Sequence, residues 1–223
     1  MVGMAVRAKK NRRTIEDIRR VELIEAAYRI FMQTGLQGLT TTRICTEAGM
    51  SQGILTYYFK NKNEVLFAMV RMANRILMDS VVVRLRSAET RWDRLLAVIE
   101  GNFPADRFDR ATANAWISFY AEAARDARYH RLQRLFYRRL QSNLASALLP
   151  LVSRPELDDF GAGFAAMLDG LWIRQGHAPE PMDVEHARRL LLTYAEKALG
   201  PQLVATLKRT APAGEVSKPV SGS

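Results

Sequence analysis

The sequence predicts an all-α protein, and three observations carry that prediction. Apolar residues recur at helical spacing in nearly every segment. Strand-like alternation is absent. Prolines and glycines are few, 8 and 13 in 223 residues, and Pro104, Pro150, Pro155 and Pro179 mark or flank breaks between the periodic runs.

The elements follow in order. A first helix is expected over about 17–34, with Leu23, Ala27, Ile30 and Phe31 on one face and Gly35 as its stop. A short second helix covers about 41–48, with Thr40 or Thr41 able to cap it. Ala48-Gly49-Met50-Ser51 reads as a tight turn, and Ser51 can cap a third short helix, about 52–58. Asn63 can cap a long fourth helix, about 63–86, whose apolar face holds Leu66, Met69, Val70, Ala73, Ile76 and Leu77. Further helices are expected at about 91–103, 109–124, 128–150, 156–177 and 183–208. The last two carry apolar faces (Phe164, Met167, Leu168, Leu171; Leu190, Leu191, Tyr194, Leu199) that are expected to build a homodimer. The expected organisation is a basic flexible arm over 1–16, a helix-turn-helix domain over 17–62, a ligand-binding and dimerisation domain over 63–208, and a disordered tail over 209–223.

Composition narrows the function. Apolar residues make up 48% and charged residues 25%, both ordinary for a globular chain. No apolar run approaches membrane-spanning length, and the charged start is followed by no apolar signal-peptide core. The single cysteine, Cys45, cannot form an internal disulfide and suits a buried filler in the second helix, so a reducing, cytoplasmic setting is expected. The formal net charge is +10, which points to nucleic acid or an anionic surface. Arg7, Lys9, Lys10, Arg12, Arg13, Arg19 and Arg20 crowd the first twenty residues, either as a DNA-binding arm or as a solvated tail. His130, His177 and His186 form no metal spacing, Gly161-Ala162-Gly163 follows no strand, and no P-loop or nucleophile elbow occurs. No catalytic cluster, metal site or cofactor is expected.

Two short helices joined by a turn at Gly49 make a helix-turn-helix. The second helix has to enter a major groove about 12 Å wide, so its outer face needs small and polar side chains. Gln52, Gly53 and Thr56 supply them, while Ile54, Leu55, Tyr58 and Phe59 can pack inward. Lys62 lies where a long cation can reach a phosphate. An ordinary helical hairpin with a solvated polar face would show some of the same features.

The run Thr41…Ile44…Ala48-Gly49-Met50-Ser51-x-Gly53-x-x-x-Tyr57-Tyr58-Phe59-x-x-Lys62-x-x-x-Leu66 resembles the DNA-binding domain of the TetR family of repressors. The resemblance implies an all-α homodimer, with an N-terminal three-helix reader and a C-terminal ligand-binding and dimerisation domain. It implies that Thr41, Thr42, Ser51, Gln52, Gly53, Thr56, Tyr57 and Lys62 face DNA, and that Tyr58 and Phe59 pack.

The later stretches 101–103, 115–120, 129–133, 138–144 and 169–174 resemble the choline-responsive repressors of glycine betaine synthesis within that family, over about residues 15–200. That resemblance implies choline as effector. A quaternary ammonium offers no N–H, so its site needs aromatic faces and a nearby anion. Trp116 and Tyr120 lie four apart with Phe119 beside them, and Asp169 and Trp172 lie three apart. Together they can form an aromatic box with one carboxylate, with Asn143, Glu122 and Tyr129 as weaker candidates. The same spacing also suits core packing, and Asp169 could brace a helix pair. Two other readings stay open: a repressor of this type with a different hydrophobic or cationic effector, and a basic helical protein of membrane surfaces or scaffolds.

Overall fold

Capping chemistry sets the helix boundaries in the computed structural model. It describes residues 2–212, with side chains from Glu16 onward. Among the described residues there are helices and no strand. In chain order they are α1 (Val2–Thr34), α2 (Thr41–Ala48), α3 (Gln52–Tyr58), α4 (Lys62–Arg86), α5 (Arg91–Asn102), α6 (Arg110–Ala123), α7 (Ala127–Leu148), α8 (Arg154–His177), α9 (Val184–Leu199) and α10 (Pro201–Arg209).

Several boundaries differ from expectation for identifiable reasons. α1 starts at Val2 instead of near 17. The added stretch has no proline and is rich in Ala, Arg, Lys and Met, all strong helix formers. The side chains of the expected arm before Glu16, and residues 213–223 of the expected tail, lie outside the described residues. The cap of α4 is Asn61, not Asn63: its Oδ1 accepts from Glu64 N at 3.2 Å. The helix expected over 183–208 is two, because Gly200 adopts φ +77° and Pro201 cannot continue a hydrogen-bonded ladder.

The helices fall into two compact units, one running to Ile76 and including Asp109–Gln133, the other holding Leu77–Phe108 and the chain from Arg134. The packing units therefore differ from the expected division at 62/63. The physical reason is that α6 gives Ala115 and Phe119 to the same buried core as the helix-turn-helix.

In the first unit, Leu23, Ala27, Ile30 and Phe31 of α1 are buried, as their spacing predicts, with Ile44, Leu55, Phe59, Met69 and Val70 around them. Gly35 closes α1 at φ +67°, and a methyl there would lie 2.9 Å from Ser118 Oγ. That hydroxyl accepts from Leu36 N at 3.0 Å, which ties the α1–α2 connection to α6.

In the second unit, Phe164, Leu168, Leu171 and Leu191 are buried within the chain itself. Much of the apolar surface expected to require a dimer is thus satisfied internally, because α8 and α9 pack on one another. The buried Arg91 guanidinium donates to the carbonyls of Ala147 and Leu149, closing the C-terminus of α7. Gly161 and Gly163 lie inside α8, beneath Gln141 and Tyr194.

Candidate nucleic-acid interface and effector residues

The reader is built from two caps and one turn. Thr40 Oγ1 accepts from Arg43 N at 3.2 Å and starts α2. Gly49 ends it in the left-handed conformation, φ +64°, ψ +34°. Ser51 Oγ then accepts from Ile54 N at 3.4 Å and starts α3. Leu55 and Phe59, one turn apart, are buried and anchor α3 to its unit. This leaves Ser51, Gln52, Gly53, Thr56 and Tyr57 exposed along one short helix, with Thr42 exposed on α2. Ile54, expected to pack inward, is 38% exposed, because Leu55 and Phe59 take the inner face and Ile54 is turned about 100° from it.

Each predicted DNA-facing group has a definite setting. Thr41 and Lys62 are half-buried. Lys62 Nζ donates to Leu39 O at 3.2 Å, which holds the ammonium at the edge of the reader and leaves further donors for a phosphate. Tyr57 is 65% exposed, and its hydroxyl donates to Glu16 Oε1 at 3.1 Å. Gln52 Nε2 donates to Thr42 Oγ1 at 3.2 Å. Thr56 Oγ1 donates back to the carbonyls of Gln52 and Gly53, at 3.2 and 3.0 Å. The Arg20 guanidinium lies 4.8 Å from the centre of the Phe59 ring. Cys45 is buried behind this surface, and burial pushes its thiol above the usual range.

The predicted effector residues fall in two groups, one in each unit. Trp116, Phe119 and Tyr120 lie together on α6: Phe119 meets Trp116 at 5.8 Å, Tyr120 at 5.9 Å and Tyr129 at 6.1 Å between ring centres. Trp116 also meets Phe31 of α1 edge-on at 6.1 Å. Trp116 and Tyr120 keep partial exposure, whereas Phe119 is core. Tyr129 is buried, and burial, aided by the Asp126 charge, pushes its hydroxyl up to about 12.

Asp169, Trp172 and Asn143 belong to the other unit. Trp172 is 7% exposed, forms a triangle of rings with Phe103 at 6.1 Å and Phe108 at 4.9 Å, and its Nε1 donates to Asn102 O. Asp169 accepts from the Tyr137 hydroxyl at 2.5 Å. Tyr137, Phe108 and the buried Asn102 escaped prediction as site residues. The stretch 101–103 carried the resemblance but no role at the site, and Tyr137 meets Asp169 across 32 residues of sequence. Gln175 and Arg188 donate to the carbonyls of Phe108 and Phe103, fixing the segment that follows α5. Among the described residues no cluster of His, Cys, Asp and Glu could hold a metal, and no helix is long and apolar enough to cross a membrane.

A short, exposed helix presented by a tight turn, with its inner face locked into a core, defines a helix-turn-helix DNA-binding protein. Residues 23–69 match the family described as bacterial regulatory proteins, tetR family, and residues 92–200 match the BetI-type transcriptional repressor C-terminal family. The HTH-type transcriptional regulator BetI of Cronobacter sakazakii is 36% identical over 188 residues, covering 83% of this chain and 93% of that protein. BetI of Brucella abortus is 37% identical over 180 residues, covering 81% and 91%. A transcriptional regulator from Saccharomonospora viridis, solved in complex with choline, shares the fold with TM-score 0.69 at 21% identity, over 79% of this chain and 95% of that one. The chain belongs to the TetR family of bacterial regulators and carries a BetI-type C-terminal region. It is a DNA-binding transcriptional repressor and not an enzyme.

Proposed function

We propose that the protein represses genes of choline uptake and glycine betaine synthesis, as a homodimer on a palindromic operator, with choline as its effector. The observation that carries this reading is the 36% identity to BetI over 188 residues. The shared fold of the Saccharomonospora regulator solved with choline adds support.

The chemistry of the site residues agrees. A trimethylammonium is held by aromatic faces, at about 0.5–2 kcal/mol per contact, so several are needed. Trp116 and Tyr120 offer such faces in one unit, with the buried Phe119 packed behind them, and Trp172 does so in the other. Asp169 supplies the anion, oriented by Tyr137, and Asn143 lies further along α7. Several such contacts with a carboxylate suit affinity in the micromolar to millimolar range, about −8 to −4 kcal/mol.

On the DNA side, Thr41, Tyr57 and Lys62 act on phosphates, Gln52 and Thr56 act on base edges, and Thr42, Ser51 and Gly53 complete the face. The dimer uses the last long helices. α8 exposes Ala162, Ala166 and Ile173, and a methyl added at Gly170 would meet nothing within 4 Å. A second copy can approach such a face closely. The two copies of α3 then sit about 34–36 Å apart, or a multiple of that, to read successive major grooves.

The test is calorimetry with choline on wild type, Trp172→Ala and Asp169→Asn, beside binding to the protein's own upstream DNA with and without choline. Uptake by wild type, weakened in both variants, is expected. No uptake at about millimolar choline overturns the effector. Unchanged binding in both variants overturns the site, and a monomer in light scattering overturns the dimer.

A further inference from the structure

Two polar side chains on the exposed face of the reader are already engaged within the protein, and this restricts what the face can read. Gln52 opens α3, and its Nε2 donates to Thr42 Oγ1 on α2 at 3.2 Å. A primary amide has two N–H donors and a carbonyl acceptor. Thr42 takes one N–H. The other N–H and Oε1 remain, one donor and one acceptor. In the major groove adenine presents the complement, an acceptor at N7 and a donor at N6, whereas guanine presents two acceptors. Both side chains are exposed, so their bond adds little to folding and acts mainly on orientation.

Thr56 lies one turn further along. Its hydroxyl is spent on the carbonyls of Gln52 and Gly53, at 3.2 and 3.0 Å, as mid-helix threonines do when they bond back into their own helix. With its single O–H shared between those carbonyls, Thr56 has no donor left for a base edge; it still presents the acceptor lone pairs of Oγ1 and its γ-methyl. A methyl packs on the C5-methyl of thymine and finds no such partner on cytosine.

We infer that α3 reads a half-site bearing A·T pairs: Gln52, positioned by Thr42, takes adenine through N7 and N6, and Thr56 takes a neighbouring thymine through methyl contact. The inference rests on the operator-binding reading above and adds to it the base identity and the positioning role of Thr42.

The test uses the full chain and a duplex that wild type selects from a randomised pool. Affinity is measured for every single-base change, and with 7-deazaadenine or deoxyuridine placed at each A·T pair. Gln52→Ala is expected to flatten the preference at one A·T position, by about 5- to 150-fold. Wild type loses affinity for 7-deazaadenine at that position, and Gln52→Ala does not. Thr42→Val flattens the same position and adds nothing in the Gln52→Ala background, while Thr42→Ser restores it. Thr56→Ser, which keeps the hydroxyl and drops the methyl, stops distinguishing thymine from deoxyuridine at a neighbouring position. Relaxation at a G·C position in Gln52→Ala overturns the inference, as does an even loss at all positions in Thr42→Val, which would mark a purely structural role. If wild type selects no sequence, the operator-binding reading itself fails.

Discussion

Gly53→Ala separates what the fold needs from what DNA needs. Gly53 is the second residue of α3, in helical backbone. Glycine in a helix costs about 0.5–1 kcal/mol relative to alanine. A Cβ built there meets only Ser51 Oγ, at 3.7 Å, which is ordinary contact. Nothing in the folded chain requires the glycine, so the substitution stabilises the free protein by about 0.5–1 kcal/mol. For a chain of this size each kcal/mol moves the melting temperature by about 2–4 °C, so a rise of roughly 1–4 °C is expected. On the operator the sign reverses. The new methyl stands on the exposed face that also bears Gln52 and Thr56, the face proposed to meet the groove floor. Forcing one methyl into a packed contact costs about 1–3 kcal/mol, a loss of roughly 5- to 150-fold in affinity. Scanning calorimetry and an anisotropy titration at one fixed salt concentration measure both. A fall in melting temperature, or an unchanged operator affinity, would refute the reasoning.

Two further predictions concern stability. Gly101→Ala would place a methyl 2.7 Å from Val81 Cα and 3.0 Å from its amide nitrogen, backbone that cannot move aside cheaply, so a urea titration is expected to show a loss of about 1–3 kcal/mol. Tyr129 is held protonated in the folded state, with its pKa raised from 10.0 to about 12 by burial first and by Asp126 next. A raised folded pKa stabilises the protein below pH 10 and ceases to do so as the pH climbs through 12; stability is expected to drop by on the order of 2 kcal/mol across that window, and Tyr129→Phe to remove the drop.

The reader was legible because its information is local. Thr40, Gly49 and Ser51 carry capping and turn chemistry that depends only on their neighbours, and Leu55 and Phe59 declare the inner face by spacing alone. The break at Gly200-Pro201 carried an equally local signal, yet the apolar periodicity on either side masked it. The partners of the effector residues were not legible. Asp169 meets Tyr137 on another helix, and Trp172 meets Phe103, Asn102 and Phe108 about 70 residues earlier, contacts that no spacing rule encodes. The apolar faces of α8 and α9 were legible only in part. Periodicity reports that a face is buried but not by what, and here Phe164, Leu168 and Leu191 are covered within their own chain. The role of Thr42 was visible in the family pattern only as proximity to DNA. Its bond to Gln52 depends on the angle that Gly49 sets between α2 and α3.

An effector can alter operator affinity only by favouring one pose of the reader over another. The first unit holds a contact through which such a preference can act. Trp116 and Tyr120 are candidate effector contacts on α6, and Ser118 lies between them. Ser118 Oγ donates to Ala115 O at 2.6 Å and accepts from Leu36 N at 3.0 Å, so the connection between α1 and α2 hangs on this helix. Trp116 meets Phe31 of α1 as well. A ligand that shifts α6 therefore pulls on the segment that leads directly into α2. Ser118→Ala keeps the packing and removes the hydroxyl, leaving Leu36 N–H without that partner, at a cost of about 0.5–1.5 kcal/mol in stability. Choline and operator are each expected to bind the variant nearly as they bind wild type. The factor by which choline changes operator affinity is expected to shrink toward one. Linkage requires the same factor whichever ligand is titrated first, so calorimetry of choline on free and operator-bound protein provides an internal check. If Ser118→Ala keeps the full wild-type factor, the hydroxyl is a structural tether only, and the coupling runs through other contacts of α6.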